Sequence, residues 1–204
     1  MRKPIQIIAI TGGIGSGKSV VSQLLHTMGY TVYDCDERAK WLMTHDPLLR
    51  EQLIKLFGPD TYLSTADGSW QLNKPHLSGC IFGHPEALAQ MDACVHPAVA
   101  RDIQQQVYLA GKRGEHLFFY ESAILYESGF DQLSPPDTVW TVSAPLETRI
   151  SRAMQRDHAD RNRILSRIDA QMPQQEKERR ADHTIINDDH HSIVAQVNHI
   201  MRIS

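Results

Sequence analysis

The chain has 204 residues with 21 Lys and Arg against 24 Asp and Glu, a net charge of -3. That length fits one substantial domain or a core with inserted pieces, and the charge excludes a global basic footprint for nucleic acid or an anionic membrane. Three scattered cysteines, Cys35, Cys80 and Cys94, have no zinc spacing, and an odd number argues against a disulfide framework and for reduced, intracellular thiols.

In chain order, Arg2 and Lys3 precede too few apolar residues for a signal peptide, and no run reaches the ~18 apolar residues of a membrane span. A soluble cytoplasmic protein is expected. Ile5 to Ile10 is nearly all apolar and reads as a strand buried on both faces, the parallel-sheet kind. From Ser19 the apolar positions Val20, Val21, Leu24, Leu25 and Met28 take helical spacing, and Gly29 offers a C-cap. The strand and helix are joined by Gly12-Gly13-Ile14-Gly15-Ser16-Gly17-Lys18-Ser19, the full GxxxxGK[ST] pattern in its required context. Such a loop turns backbone N–H groups inward around a polyphosphate, with the helix dipole adding positive charge. Lys18 is expected to reach the β/γ-phosphates and Ser19 to ligate Mg²⁺. The dinucleotide pattern GxGxxG fails, because position 18 is lysine where a small residue is needed.

A second strand, Thr31 to Tyr33, runs into Asp34-Cys35-Asp36. Beside a phosphate loop, one carboxylate can take the proton of an attacking alcohol and another can hold Mg²⁺ or its waters. Asp36 could instead cap a helix over Glu37 to Met43. Residues from Glu37 to Gly114 read as a mostly helical insertion, broken at Asp46-Pro47, Gly58-Pro59, Asp67-Gly68, Lys74-Pro75, His84-Pro85 and His96-Pro97. Further strands are expected at Leu117 to Tyr120, ending on Glu121, at Thr138 to Val142, and at Thr184 to Ile186, ending on Asn187. Strand–helix alternation predicts an α/β layered fold with a parallel sheet, whose ligands gather beyond the carboxyl ends of the strands. Those ends carry the glycine loop, Asp34 with Asp36, Glu121 and Asn187.

Six arginines, Arg149, Arg152, Arg156, Arg161, Arg163 and Arg167, fall in 19 residues against Asp157 and Asp160. Arg149, Arg152 and Arg156 share a helix face, and a turn over Asp157 to Asn162 leads to a second helix from about Arg163. A helical hairpin of forked cations suits a lid that neutralises a transferring phosphoryl group and excludes water. A solvated amphipathic surface or an RNA-binding face would use the same residues. His96-Pro97 reads either as an acceptor-side contact or as a histidine bonded to backbone near a turn, and His190-His191 reads as surface. From the residues alone the function stays between a small P-loop kinase acting on an alcohol, a nucleotide-dependent switch, and an RNA binder.

The chain resembles the dephospho-CoA kinase family over nearly its whole length. The resemblance is carried by "ITGGIGSGKS", by "VYDCDERAK" with its D-x-D segment, and by "LNKPHLSGCIFGHPEALAQMDACVHPAV" through Leu72, Leu77, Phe82, Leu88, His96 and Pro97. "ESAILYESGF" stands at the D-x-P-L-L-F-E motif, and "ISRAMQRD" and "RIDAQMPQQEKERRADHTIIND" resemble the lid and closing segments. Val20 stands where the family often has threonine, Glu121-Ser122 replaces Asp-x-Pro, and Lys74 takes the usual arginine position, keeping the charge and losing the fork.

The resemblance implies a three-layer P-loop kinase fold with a parallel five-stranded sheet. It places a nucleotide-binding core at about 1–36, 115–148 and 181–204, a helical CoA-binding insert at about 37–114, and a lid at about 149–180. It implies ATP-dependent phosphorylation of the ribose 3′-hydroxyl of dephospho-CoA, with Mg²⁺. ATP would bind Gly13, Ile14, Gly15, Ser16, Gly17, Lys18, Ser19, Val20 and Asn187. The acceptor would meet Asp34, Asp36, Lys74, His96 and Glu121. Asp36, Lys18, Arg152 and Arg156 would carry the chemistry, with Ser19 on the metal. A monomer is expected, with no nucleic-acid or membrane partner. Lys177 and Gln171 are read as structural.

Overall fold

The apolar run near the start of the chain becomes the central strand of a sheet. In this computed structural model, which describes residues 5–66, 68–188 and 190–203, β1 (Gln6–Thr11) pairs in parallel on both sides. One neighbour is β5 (Leu117–Glu121), with Ile8 opposite Phe119. The other is β6 (Thr138–Ser143), with Ile10 opposite Trp140. The outer strands are β2 (Val32–Asp34), beside β5, and β7 (His183–Ile186), beside β6. The order is β2-β5-β1-β6-β7, all parallel. Central parallel strands are covered on both faces, so Ile8, Ala9 and Ile10 have no exposed surface. Helices α1 (Lys18–Thr27) and α10 (Ile193–Ile203) pack Val21, Leu25 and Val197 against Ile8, Phe119 and Trp140. Phe119 meets Trp140 edge-on at 5.5 Å between centroids, the favoured aromatic geometry. On β5, the buried Tyr120 hydroxyl donates to the Ser134 carbonyl at 2.9 Å, next to α6 (Phe130–Leu133).

The chain divides into two compact units, one of residues 1–34 and 106–204, the other Cys35–Gln105. The second holds α2 (Cys35–His45) and α3 (Pro47–Phe57), the latter capped by the Asp46 carboxylate, which accepts from Leu48 and Leu49 N–H. It also holds α4 (Lys74–Ile81), capped by Asn73, and most of α5 (Pro85–Arg113). Within it, Arg38 forks onto Asp102 at 2.7 and 3.0 Å and stacks over Trp41 at 3.8 Å. Leu49 and Leu53 are fully buried.

Two local expectations change, and the helices of the second unit are accompanied by strands: after a 3₁₀ turn at Pro59–Thr61, a short antiparallel hairpin joins β3 (Tyr62–Ser64) to β4 (Trp70–Leu72). Its turn holds Gly68, while Asp67 lies outside the described residues, as do Arg2 and Lys3. Helix α2 starts at Cys35, so Asp36 sits inside its first turn and does not precede it. His96 and Pro97 do not mark a break, because both lie within the 29-residue α5. Proline there removes one N–H from the helical ladder, and the flanking turns carry the helix across. Among the described residues, no helix is long and apolar enough to cross a membrane.

The first unit continues with α7 (Leu146–Asp157), which ends on His158 in the left-handed region, and α8 (Arg161–Asp169), capped by Asp160. After Pro173 comes α9 (Gln174–Arg180). Its Lys177 is fully buried, with Nζ donating to the Ala123 carbonyl at 2.8 Å and paired with Glu127 at 2.6 Å. Burial pushes that ammonium down, and Glu127 opposes the shift. Lys177→Ala would leave Glu127 without this partner, and it is expected to cost about 3–5 kcal/mol in denaturant unfolding.

Candidate phosphate-loop site

The carboxyl edge of the sheet collects the site. Chain geometry brings Asp34, the last residue of β2, into register with Glu121, the last residue of β5, and the loop after β1 lies between β5 and β6. Gly17 takes a left-handed conformation (φ 95°, ψ 29°) directly before α1, where the loop turns into the helix. A Cβ there would overlap the Asn187 amide, and one at Gly15 (φ 75°) would overlap the Arg149 backbone carbonyl. Non-glycine residues rarely adopt this region, so the sequence can make this loop only with glycine. Gly17→Ala is expected to lose about 1–2 kcal/mol from backbone strain alone. The added overlap with Asn187 should lower ATP affinity further. Thermal melting with and without ATP measures both.

Gly15, Gly17, Lys18, Ser19, Val20, Glu121, Arg152, Ala153 and Arg156 line one cleft of about 210 Å³. All but Ala153 are residues expected from the sequence, drawn from the loop, β5 and α7. Lys18 Nζ donates to the Gly12 carbonyl at 2.9 Å, so the lysine lies along its own loop. The Ser22 hydroxyl donates to Glu121 Oε2 at 2.5 Å, one turn below Lys18 on α1. The Ser19 hydroxyl and the Glu121 carboxylate are hard oxygen donors on the same cleft. Mg²⁺ takes one or two protein oxygens and completes its shell with phosphate and water, so this donor set fits it. Among the described residues there is no group of three or more His, Cys, Asp or Glu that could cage a metal unaided.

Of the expected residues outside this cleft, Asp34 is exposed at the end of β2, and the others separate into two sets. Gly13, Ile14, Ser16 and Asn187 are buried and do not line it. The Asn187 side chain donates to the Ser16 carbonyl at 2.8 Å, and Arg152 donates to the Asn187 carbonyl at 3.1 Å. Asp36, Lys74 and His96 belong to the second unit. Asp36 is exposed on the first turn of α2, and Lys74 is exposed at the start of α4. His96 is partly exposed on α5, 3.9 Å from Asp92, whose carboxyl burial pushes up.

The arginine segment is a hairpin with divided duties. Arg149 is buried, donates from Nε to the Ile14 carbonyl at 3.0 Å, and is pushed down by burial. It is a fixture of the loop. Arg152 and Arg156 line the cleft. Arg156 also forks onto Asp157 at 2.7 and 3.1 Å, and Arg167 holds the same carboxylate. Arg156 and then Arg167 keep the Asp157 carboxyl well below the usual carboxylate range. Arg161 forks onto Glu147 at 2.7 and 2.8 Å.

Two residues were not singled out for the site. The Gln171 carbonyl oxygen accepts from Ile14 N–H at 2.8 Å, and that of Gln174 accepts from Gly13 N–H at 3.0 Å. A Gln-x-x-Gln spacing around a proline looks the same whether its amides face water or a distant loop.

A family model described as Dephospho-CoA kinase matches residues 6–192. A dephospho-CoA kinase of Porphyromonas gingivalis is 41% identical over 195 residues, covering 95% of this chain and 92% of that protein. One from Bacteroides fragilis is 40% identical over 191 residues, covering 93% and 88%. A crystal structure from Thermus thermophilus superposes with a TM-score of 0.81 at 32% identity, covering 98% of each chain.

Proposed function

The chain belongs to the dephospho-CoA kinase family, and from that premise we infer how its residues transfer the γ-phosphoryl group of ATP to the ribose 3′-hydroxyl of dephospho-CoA, giving coenzyme A and ADP. The observation that carries the reading is the cleft where the glycine loop, Lys18, Ser19, Glu121 and two arginines converge. It supplies backbone N–H groups, a helix N-terminus and three cations for a triphosphate.

Phosphoryl transfer leaves little covalent work to a protein, so its residues position and stabilise charge. Lys18 leaves the Gly12 carbonyl and follows the β- and γ-phosphates. Arg152 and Arg156 meet the equatorial oxygens of the transferring group, where their planar forks match phosphate. Arg156 must share itself with, or leave, Asp157 to do so. Asp36 accepts the 3′-hydroxyl proton as the oxygen attacks in line. Asp34 lies two residues before it and orients the acceptor. Ser19 and Glu121 would hold Mg²⁺, which when bound offsets phosphate charge. Ser22 keeps the Glu121 carboxylate in one orientation. The unit Cys35–Gln105 acts as the dephospho-CoA-binding insert, with Lys74 and His96 on the acceptor, and the α7–α8 hairpin acts as the lid. The enzyme works as a cytoplasmic monomer without nucleic acid.

The test is ADP release with Mg-ATP and dephospho-CoA, followed by mass spectrometry of the product. A new 3′-phosphate on coenzyme A supports the reading. ATP hydrolysis without acceptor phosphorylation, or transfer to nucleosides in preference to dephospho-CoA, overturns it.

A further inference from the structure

The glycine loop has two sides. Gly15, Gly17, Lys18 and Ser19 line the cleft. The other side is closed by four side chains from the last third of the chain. Gln174 accepts from Gly13 N–H, Gln171 accepts from Ile14 N–H, Arg149 donates to the Ile14 carbonyl, and Asn187 donates to the Ser16 carbonyl. The Ile14 side chain, 7% exposed, packs against Ile150, Ala153 and Ile164 of α7 and α8. Both backbone groups of Ile14 are therefore paired with side chains more than 130 residues away in sequence.

We propose that Gln171 and Gln174 are positioning residues for ATP, holding the back of the phosphate loop through Gly13 and Ile14 so that its cleft side is set before nucleotide arrives. The proposal rests on the phosphate-loop reading of the cleft. A loop rich in glycine has many accessible conformations, and fixing them costs entropy. A loop already fixed meets that cost at folding and not at binding, which raises affinity. Fixed donors also act on developing charge without rearranging. A glutamine suits the task because its carbonyl oxygen accepts from an N–H without bringing negative charge toward a triphosphate. Gln174 lies at the start of α9 and Gln171 just past α8, so the strap is built where the arginine hairpin returns to the sheet.

The test uses Gln171→Met and Gln174→Met, which keep side-chain length and lose the acceptor, with Gln171→Glu and Gln174→Glu, which keep the acceptor and add charge. ADP affinity, KM and kcat, melting temperature, and amide hydrogen exchange at Gly13 and Ile14 are read for each. An unpaired buried N–H costs enough that each Met variant should raise the Kd for ADP and the KM for ATP about tenfold or more. KM for dephospho-CoA should stay within about twofold, and loop amides should exchange faster. The Glu variants should restore slow exchange at the loop while still binding ADP more weakly, because the added charge repels phosphate. Met variants that bind ADP like the parent would overturn the proposal, as would a fall in melting temperature with unchanged KM for ATP. Failure of the phosphate-loop reading shows differently: the parent protein itself would then bind no ADP.

Discussion

Asp36→Asn should turn over dephospho-CoA about 10²–10⁴ times more slowly than the parent, the range for removing a positioned general base. The amide is nearly isosteric and still makes hydrogen bonds, so what is lost is the capacity to accept a proton. Asp36 is exposed on the first turn of α2. The amide keeps the shape of the side chain and forgoes about 0.3–1 kcal/mol of helix-dipole stabilisation, so any fall in melting temperature should be small beside the fall in rate. The informative pattern is a collapsed kcat with both KM values near the parent's, because the aspartate acts on the transition state more than on ground-state binding. A rate near the parent's would remove Asp36 as the base. Running Asp34→Asn alongside separates the two carboxylates: Asp34, in register with Glu121 at the sheet edge, should change the KM for dephospho-CoA more than kcat.

Lys18→Ala should cost about 10²–10³ in kcat, the usual loss for one charge-stabilising donor. Here the protein changes in two ways. The cleft loses a cation, and the Gly12 carbonyl loses its 2.9 Å donor. A net hydrogen bond to a charged group is worth about 1.5–3 kcal/mol, and this one is only partly buried, so the fall in stability should lie at or below the low end. Lys18→Arg is the sharper comparison. It restores charge and a donor to the loop, but replaces a compact ammonium on a flexible stem with a wide planar fork. If shape as well as charge matters, Arg recovers stability without recovering rate. Full recovery of rate would make Lys18 a generic counter-charge.

The parts of this fold that could be read beforehand are those written in short, continuous patterns. Parallel strands covered on both faces are runs of apolar residues, and Ile5 to Ile10 needs no partner to be recognised. The loop is likewise local, because glycine, lysine and serine must follow one another. The three-residue strands Tyr62–Ser64 and Trp70–Leu72 are too short for alternation to declare itself. His96-Pro97 misleads because proline usually stops a helix, whereas α5 continues through it by forgoing one bond. The back of the phosphate loop was invisible for a different reason. Gln171 and Gln174 reach across 157 and 161 residues to their partners, and no local composition marks a glutamine that will meet a backbone amide. Arg149 shows the same blindness in reverse: its helical spacing groups it with Arg152 and Arg156, while burial assigns it to the loop.

The strand order β2-β5-β1-β6-β7 also sets a timetable for the newborn chain. The phosphate loop leaves the ribosome well before β5, and β1 must wait for Leu117 and its neighbours before it has that edge to join. Asn187, which closes the Ser16 carbonyl of the loop, emerges 171 residues after its partner. Long closures add little to the thermodynamic cost but slow the search. The nascent polypeptide therefore carries a complete nucleotide-binding motif until those partners are made, without the scaffold to use it. Polypeptides released before Gln171 would carry the motif and lack the grip, so prematurely terminated products should not sequester cellular ATP.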